Sequence, residues 1–246
     1  MKKVFLVTSL FSLLGNIAFS QDSDVTPKTR LGMKINPGFA WIQTNESTME
    51  QSASSFAFGY GLTADFRIAE NYFITSGIEV VGMGSIVKFG KPTYFFNEVT
   101  NKNSDLLLTE RKLKYQFVEI PLILKMRTRE IGYLRYFGLF GFNTGIKLKA
   151  QAEDEYSNTS LNVIQSEKVN ISSETALFRS SMNVGGGIEK YLSGTTSLTV
   201  SLIWNNGLNN LFRKSSNQLS STNNAFNGIK QNGNIDYLSL NIGILF

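Results

Sequence analysis

The C-terminal segment Asp236–Phe246 constrains the fold more than any other part of the chain. Every second residue is large and apolar, and the residues between them are small or polar. This period of two predicts a β-strand with one apolar face and one polar face. The strand ends on its apolar face at Phe246, an ending typical of outer-membrane β-barrels. We therefore expect Phe246 to be the signal that the barrel-assembly machinery recognises.

The N-terminal segment has the features of a Sec signal peptide. A basic start precedes the apolar stretch Val4–Leu14, and small residues occupy the −3 and −1 positions before Gln21. The apolar stretch is shorter than the roughly 20 residues that a membrane-spanning helix needs, which disfavours a permanent anchor. We predict a signal peptide over residues 1–20, cleavage between Ser20 and Gln21, and one domain over residues 21–246.

Composition excludes several classes of function. The net charge of +5 includes two lysines of the signal peptide, and the remaining excess is too small and dispersed for nucleic-acid binding. The chain has no Cys and no His, which excludes disulfides, lipoprotein anchoring and metal sites built from these residues. Without His there is no imidazole base for Ser or Asp, so we expect no catalytic residue, cofactor or metal. Weak Ca²⁺ binding by the acidic run Glu153–Glu155 is the alternative, but the run lacks EF-hand spacing and is interpreted as a solvated loop.

Alternating segments predict the architecture. Connections after the second, fourth and sixth segments are short and the others are long, as in outer-membrane barrels with short periplasmic turns and long extracellular loops. The sequence therefore predicts an all-β fold, an eight-stranded antiparallel up-and-down transmembrane barrel. The eight segments are Leu31–Ile42, Phe56–Arg67, Tyr72–Phe89, Arg111–Met126, Tyr133–Ala150, Ala176–Tyr191, Thr195–Asn206 and Asp236–Phe246.

The two faces of these segments distinguish a membrane barrel from a soluble one. A lipocalin-like barrel buries its apolar residues. Here the second face consists of Gly, Ser, Thr, Asn and charged residues, which cannot form a dry core, so the apolar face should contact lipid. Since side chains fill the lumen of an eight-stranded barrel, charges inside it must pair. The predicted lumen charge network is Lys34, Asp65, Arg67, Glu79, Glu119, Lys125, Arg135, Lys147, Arg179 and Glu189.

Two contacts are expected within this network. Glu79 and Glu119 should lie at similar depth on adjacent strands, and two such carboxylates require a cation between them or a shared proton. Arg135 and Glu189 should pair near the short turns. A proton path or ligand site is one interpretation of the network, and a structural plug of salt bridges, which we favour, is the other.

The fourth segment contains an apparent change of phase. Leu113, Tyr115 and Phe117 continue the apolar face, which then passes to Ile120, Leu122 and Leu124. A slip of one residue predicts a β-bulge near Phe117. Pro121, which removes one ladder donor, would be tolerated beside such a bulge.

Short motifs in three strands resemble a known family. The motif E-x-P-x-x-x-K within Tyr115–Lys125, the triplet Tyr136–Gly138 and the run Gly185–Glu189 resemble the PorT-like outer-membrane barrels. The resemblance implies a small outer-membrane barrel with no established activity of its own. One branch of that family is tied to type IX protein secretion, and many other members have no assigned role.

These observations favour a binding or assembly role at the bacterial outer membrane. A narrow solute channel and a stand-alone surface-binding barrel remain alternatives, and an enzyme is disfavoured. Expected partners are outer-membrane lipid, lipopolysaccharide, the barrel-assembly machinery and components of a secretion system. Arg111, Lys112 and Lys114 lie where lipopolysaccharide phosphates would be, although this basic stretch is equally suited to pair with the acidic loop Gln151–Thr175.

Overall fold

A computed structural model describes residues 27–44, 49–89, 94–97, 102–157, 163–173, 175–212 and 232–246. The predicted signal peptide and the cleavage site between Ser20 and Gln21 lie outside the described residues. Among the described residues, no helix is long and apolar enough to cross a membrane.

Within the described residues, ten antiparallel strands form one sheet that closes on itself. β4 and β7 are the end strands of the sheet, and pairing between their neighbours β5 and β6 closes the ring β1-β2-β3-β5-β6-β8-β9-β10. The prediction of a closed eight-stranded antiparallel barrel is confirmed. The strands are β1 Thr29–Thr44, β2 Met49–Ala69, β3 Tyr72–Phe89, β4 Tyr94–Asn97, β5 Lys102–Arg127, β6 Arg135–Ser157, β7 Val163–Asn170, β8 Phe178–Ser193, β9 Thr196–Gly207 and β10 Gly233–Leu245.

The apolar side chains cover the outside of the barrel. Leu62 on β2, Leu122 on β5 and Leu202 on β9 keep 54 to 63% of their surface exposed. Exposed apolar residues continue around all eight barrel strands, which is the arrangement of a lipid-facing band. The predicted orientation of apolar residues toward lipid is thus confirmed for this band.

The last strand closes the barrel against the first. β10 pairs with β1 from Gly32↔Leu245 to Thr44↔Gly233. The Phe246 backbone N–H donates to the Leu31 carbonyl over 2.7 Å, and the Phe246 ring is about half exposed on the outer face. The aromatic terminus therefore lies at the seam between the first and last strands.

The predicted long loops contain more strand than the sequence indicates. β5 continues for eight residues beyond its last pairing with β3, and pairs with β6 as far as Leu107↔Ser157. Above the barrel, β4 pairs with β5, and β7 pairs with β6. We call this four-stranded extension, made of β4, β7 and the upper parts of β5 and β6, the outer sheet.

The predicted bulge in the fourth barrel strand is wrong. Along β5 the odd residues from Arg111 to Arg127 face inward without a change of phase. The irregularity lies in β6, where Gln116 pairs with Lys149 and Phe117 pairs with Lys147. Because β5 keeps its phase, Leu113, Tyr115 and Phe117 lie inside the barrel, at 2%, 3% and 0% exposure. The extra residue shifts the inward positions of β6 itself from odd to even residue numbers.

The upper lumen is apolar, which corrects the expectation of a uniformly polar interior. Three of its residues come from connections: Ile171 follows β7, and Leu211 and Phe212 follow β9. Backbone hydrogen bonds hold these segments, including Ala176 N–H to Leu211 C=O at 2.7 Å. We call this cluster the apolar plug: Ala40, Ile42, Ala57, Val81, Met83, Val87, Leu113, Tyr115, Phe117, Ala150, Ala152, Ile171, Leu211, Phe212, Ile235 and Tyr237.

Candidate functional site

The lumen near the short turns contains a compact cluster of buried charges. Glu189 is fully buried and accepts hydrogen bonds from Arg30 at 2.6 Å, Lys125 at 3.0 Å and Arg127 at 3.1 Å. Asp65 is bonded to Arg30 at 3.2 Å and to Lys125 at 2.9 Å. We call these five residues the lower cluster. Each carboxylate is shared by two or three cations, as burial away from water requires.

The two predicted mid-lumen carboxylates lie directly opposite each other. Glu79 and Glu119 are cross-strand partners on β3 and β5, and their exposed fractions are 2% and 0%. The Asn143 side-chain amide donates to both, over 3.2 Å to Glu79 and 3.0 Å to Glu119. Lys34 pairs with Glu79 at 2.8 Å, and Arg179 pairs with Glu119 at 2.7 Å. Each carboxylate thus has its own cation, and the Asn143 amide bridges the two.

The predicted contact between Arg135 and Glu189 is wrong. The two residues are direct cross-strand partners, but the Arg135 guanidinium donates to the Tyr191 hydroxyl at 2.9 Å and to Glu130 at 3.3 Å. Glu189 instead binds three cations from two other strands, Arg30 on β1 and Lys125 and Arg127 on β5. The partner of each charged residue is therefore determined by how far its side chain reaches, and not by which residue lies opposite it on the neighbouring strand.

The remaining predicted lumen residues lie at the two ends of the barrel. Arg67 is partly buried beside the short turn between β2 and β3. Lys147 lies at the upper end, where its ammonium donates to the Ser172 carbonyl at 2.7 Å and to the Thr175 carbonyl and hydroxyl at 2.9 and 2.6 Å. Lys147 therefore anchors the connection after β7 to the barrel mouth.

Sequence reasoning missed several members of the network. Arg30 precedes the first predicted strand by one residue, and Arg127 was assigned to a turn, although both continue the inward alternation of their strands. Asn36 donates to Glu79 at 2.7 Å, and Asn143 bridges the carboxylates. Extending the period-two pattern by one residue at each end would have found both arginines, whereas no sequence signal distinguishes these asparagines from other polar lumen residues.

The basic and acidic stretches of the outer sheet pair with each other. Lys112 is hydrogen-bonded to Glu155, which raises the pKa of Lys112 above its usual value. Lys114 is two-thirds exposed and lies 3.6 Å from Glu153. The acidic run that the sequence indicated as a solvated loop is therefore part of β6.

Arg111 does not face the outside, which corrects its assignment as a lipopolysaccharide contact. It is 4% exposed and binds the fully buried Asp154 through two hydrogen bonds of 2.6 and 2.7 Å. Residues on β5 alternate in direction, so Arg111 points inward while Lys112 and Lys114 lie outside or at the rim. A bidentate pair of this kind leaves Arg111 unavailable to an external phosphate.

A cavity of about 60 Å³ lies in the lumen between the lower cluster and the Glu79–Glu119 pair. Its size is sufficient for a few water molecules. Among the described residues, no group of three or more acidic residues is arranged to hold a metal ion. The cavity is lined by Lys34, Thr63, Asp65, Thr75, Ile123, Lys125, Phe137, Leu139, Thr199, Ser201, Ile203, Asn241, Gly243 and Leu245.

Comparison with known families decides where this barrel belongs. Residues 16–213 match the family described as "Outer membrane protein beta-barrel domain". The chain is an outer-membrane β-barrel protein. Its location is the bacterial outer membrane, as predicted, and the apolar outer band of the barrel is its lipid contact. No curated protein matches the sequence.

Solved structures similar to this outer-membrane barrel are distant in sequence. Ail, the attachment invasion locus protein of Yersinia pestis, is 12% identical, and the match covers 89% of this chain and 99% of Ail with a TM-score of 0.34. Neisserial surface protein A is 8% identical over 88% of this chain and 97% of its own, with a TM-score of 0.40. The outer membrane protease OmpT of Escherichia coli is 10% identical over 94% and 99%, with a TM-score of 0.44.

Proposed function

We propose that this outer-membrane barrel is a non-enzymatic, non-conducting protein whose role is binding or assembly at the cell surface. The observation that carries the proposal is the outer sheet, in which β5 and β6 continue to Leu107↔Ser157 above the barrel. A barrel that served as a membrane anchor alone would not need ordered strands beyond the lipid-facing band. Connections that project from a rigid scaffold are the usual location of binding surfaces.

The edges of the outer sheet are its most suitable contact sites. In the described part of the chain, β7 pairs with β6 on one side and β4 pairs with β5 on one side. An open strand edge presents backbone donors and acceptors to which an extended segment of a partner protein can add. The outer charges are less suitable, because Lys112 and Lys114 already pair with Glu155 and Glu153.

A protein partner is tested by photocrosslinking in intact cells. A photocrosslinking amino acid at Lys168, which is exposed on β7, is expected to capture a protein. The matched position is Lys190, which is exposed near the periplasmic end of β8 and should capture none. Capture at Lys190 without capture at Lys168, or at neither position, would contradict a surface-binding role.

The narrow channel is the competing function. The apolar plug fills the upper lumen with side chains such as Phe117 and Ile42, both fully buried, and an eight-stranded barrel has no open pore once its lumen is filled. We expect no conductance steps from the purified protein in planar bilayers. Reproducible steps for the unmodified protein would favour the channel.

The resemblance to PorT-like barrels supports a finer form of the proposal, an accessory role in type IX protein secretion. The test is affinity purification from outer membranes solubilised in mild detergent. Co-purification with a large secretion translocon would support the secretion role. Recovery of the barrel alone would contradict that role and leave the stand-alone surface-binding barrel.

Lipopolysaccharide remains a proposed partner through Lys112 and Lys114, whereas Arg111 is buried. Lys114 is the more exposed of these, and it lies on the outer face of β5 above the apolar residues Ile120 and Leu122. Lys112 is about one-third exposed. Replacing both by Gln should weaken lipopolysaccharide retention in native mass spectra, whereas replacing Lys190, at the opposite end, should not. Equal retention in all variants would contradict the contact.

A further inference from the structure

Cations outnumber carboxylates in the lumen below the apolar plug. Among the described residues, four carboxylates face this space: Asp65, Glu79, Glu119 and Glu189. The five cations that pair with them are Arg30, Lys34, Lys125, Arg127 and Arg179. Among the described residues, the lumen below the apolar plug therefore has an excess of one positive charge, while Arg135 at the periplasmic end is paired with Glu130.

An uncompensated charge is costly at this location. Hydrocarbon surrounds the barrel wall, and the apolar plug closes the upper end of the lumen. In such a low-dielectric space the favourable solution is a counter-ion held by hydrogen bonds. Such a counter-ion requires a space in the lumen that is lined by hydrogen-bond donors not already used by the carboxylates.

The cavity of about 60 Å³ provides that space. Lys34 pairs with one carboxylate, at 2.8 Å, and Lys125 pairs with two, at 2.9 and 3.0 Å. An ammonium group has three N–H donors, so both lysines retain donors where they line the cavity. Ser201 also lines it, is 7% exposed, and has no hydrogen-bond partner among the described residues.

We propose that this cavity binds a small monovalent inorganic anion of the size of chloride. A monovalent ion balances a single excess positive charge, and the volume suits a halide better than a larger organic acid. Two ammonium groups and a hydroxyl supply the donors, while Ile123 and Ile203 form an apolar wall suited to a weakly hydrated ion. The anion completes the lumen charge network and is independent of the surface-binding role.

The first experiment locates the ion. Crystals of the full mature barrel grown with bromide in place of chloride should show an anomalous peak in the cavity, within hydrogen-bond distance of the Lys34 ammonium and the Ser201 hydroxyl. Bromide is the probe because it replaces chloride and scatters anomalously. Water alone in the cavity, with no anomalous peak, would overturn the proposal.

The second experiment measures the coupling of the ion to stability. At constant ionic strength, chloride should raise the Tm of the detergent-solubilised protein above its value in gluconate, because a ligand of the folded state stabilises it. Lys34→Gln should weaken the chloride dependence by about tenfold or more, since a charged donor is lost. Ser201→Ala should weaken it by a smaller factor without affecting folding, because no described residue depends on that hydroxyl.

The matched control is Lys114→Gln, which removes an exposed ammonium from the outer sheet and should leave the chloride dependence unchanged. Equal Tm values in chloride and gluconate for the unmodified protein would overturn the proposal. So would equal losses in the Lys34, Ser201 and Lys114 variants, because screening of surface charges would then explain the effect.

Discussion

Replacing Glu189 by Gln tests the lower cluster most directly. Glu189 is fully buried and accepts from Arg30 at 2.6 Å, Lys125 at 3.0 Å and Arg127 at 3.1 Å. Glu189→Gln would leave three cations opposite Asp65 alone. Removing one partner of a buried ion pair costs about 3–5 kcal/mol, and three affected cations place the expected loss toward the upper end of that range.

The assay is equilibrium unfolding by urea in phospholipid vesicles, followed through the fluorescence of Trp41 and Trp204. The matched control is Glu130→Gln, because Glu130 is about half exposed and makes one contact of 3.3 Å, to Arg135. An exposed pair of this kind contributes about 0–1 kcal/mol. If Glu189→Gln lowers the free energy of unfolding no more than Glu130→Gln, the lower cluster does not stabilise the barrel.

A double variant separates pairing from simple loss of a residue. Arg30→Gln with Glu189→Gln removes one charge of each sign, so the total charge of the lumen is restored. We expect its free energy of unfolding to fall by less than the sum of the two single changes, because neighbouring charges couple by roughly 0.5–3 kcal/mol. Strict additivity would show that the 2.6 Å contact between them carries no coupling energy.

Three further predictions concern the barrel wall and the outer sheet. Leu240→Arg places a charge on the lipid-facing side of β10 and should cost about 2–4 kcal/mol, seen as loss of the heat-modifiable band on gels. Gly141→Ala should lower the urea midpoint because a Cβ there would lie 2.3 Å from a backbone oxygen, whereas Gly138→Ala, with its nearest atom at 3.8 Å, should not. Asp154→Leu alone should destabilise the protein, and adding Arg111→Leu should recover most of the loss in the same assay.

The transmembrane strands could be predicted because lipid imposes a simple rule on them. A strand between hydrocarbon and a filled lumen must alternate with a period of two, and Phe56–Arg67 and Asp236–Phe246 follow this rule almost without exception. Above the lipid band the rule no longer applies. The chain from Gln151 to Glu155 is polar on its outer face and was interpreted as loop, but it pairs with β5 and β7.

The partner of each charged residue in the lumen could not be predicted from its cross-strand position. Alternation indicates which face a residue occupies, and register correctly places Arg135 opposite Glu189. A guanidinium group, however, can reach past its cross-strand neighbour and across the lumen. Arg30, on a strand that does not pair with β8, therefore binds Glu189, while Arg135 binds Tyr191.

The apolar plug was missed for two reasons: large apolar residues of β5 face the lumen, and other plug residues come from connections distant in sequence. Leu113, Tyr115 and Phe117 are large and apolar and were interpreted as lipid-facing, although they continue the inward phase of Glu119 and Lys125 along β5. Ile171 and Phe212 enter the barrel mouth from two different connections, joined by the bridge Thr175↔Phe212. The apparent phase change on β5 arose from the assumption that every large apolar side chain faces lipid.

The plug also determines what the charges below it must do. A lumen open at both ends would let water solvate ions such as Glu119 and Arg179 individually. With sixteen apolar residues above them and hydrocarbon around them, these ions can be stabilised only by each other, by amides such as Asn143, or by a bound ion. Under the proposed function, the same closure opposes conduction, the charge network stabilises the barrel, and the outer sheet is the surface that we propose for a partner.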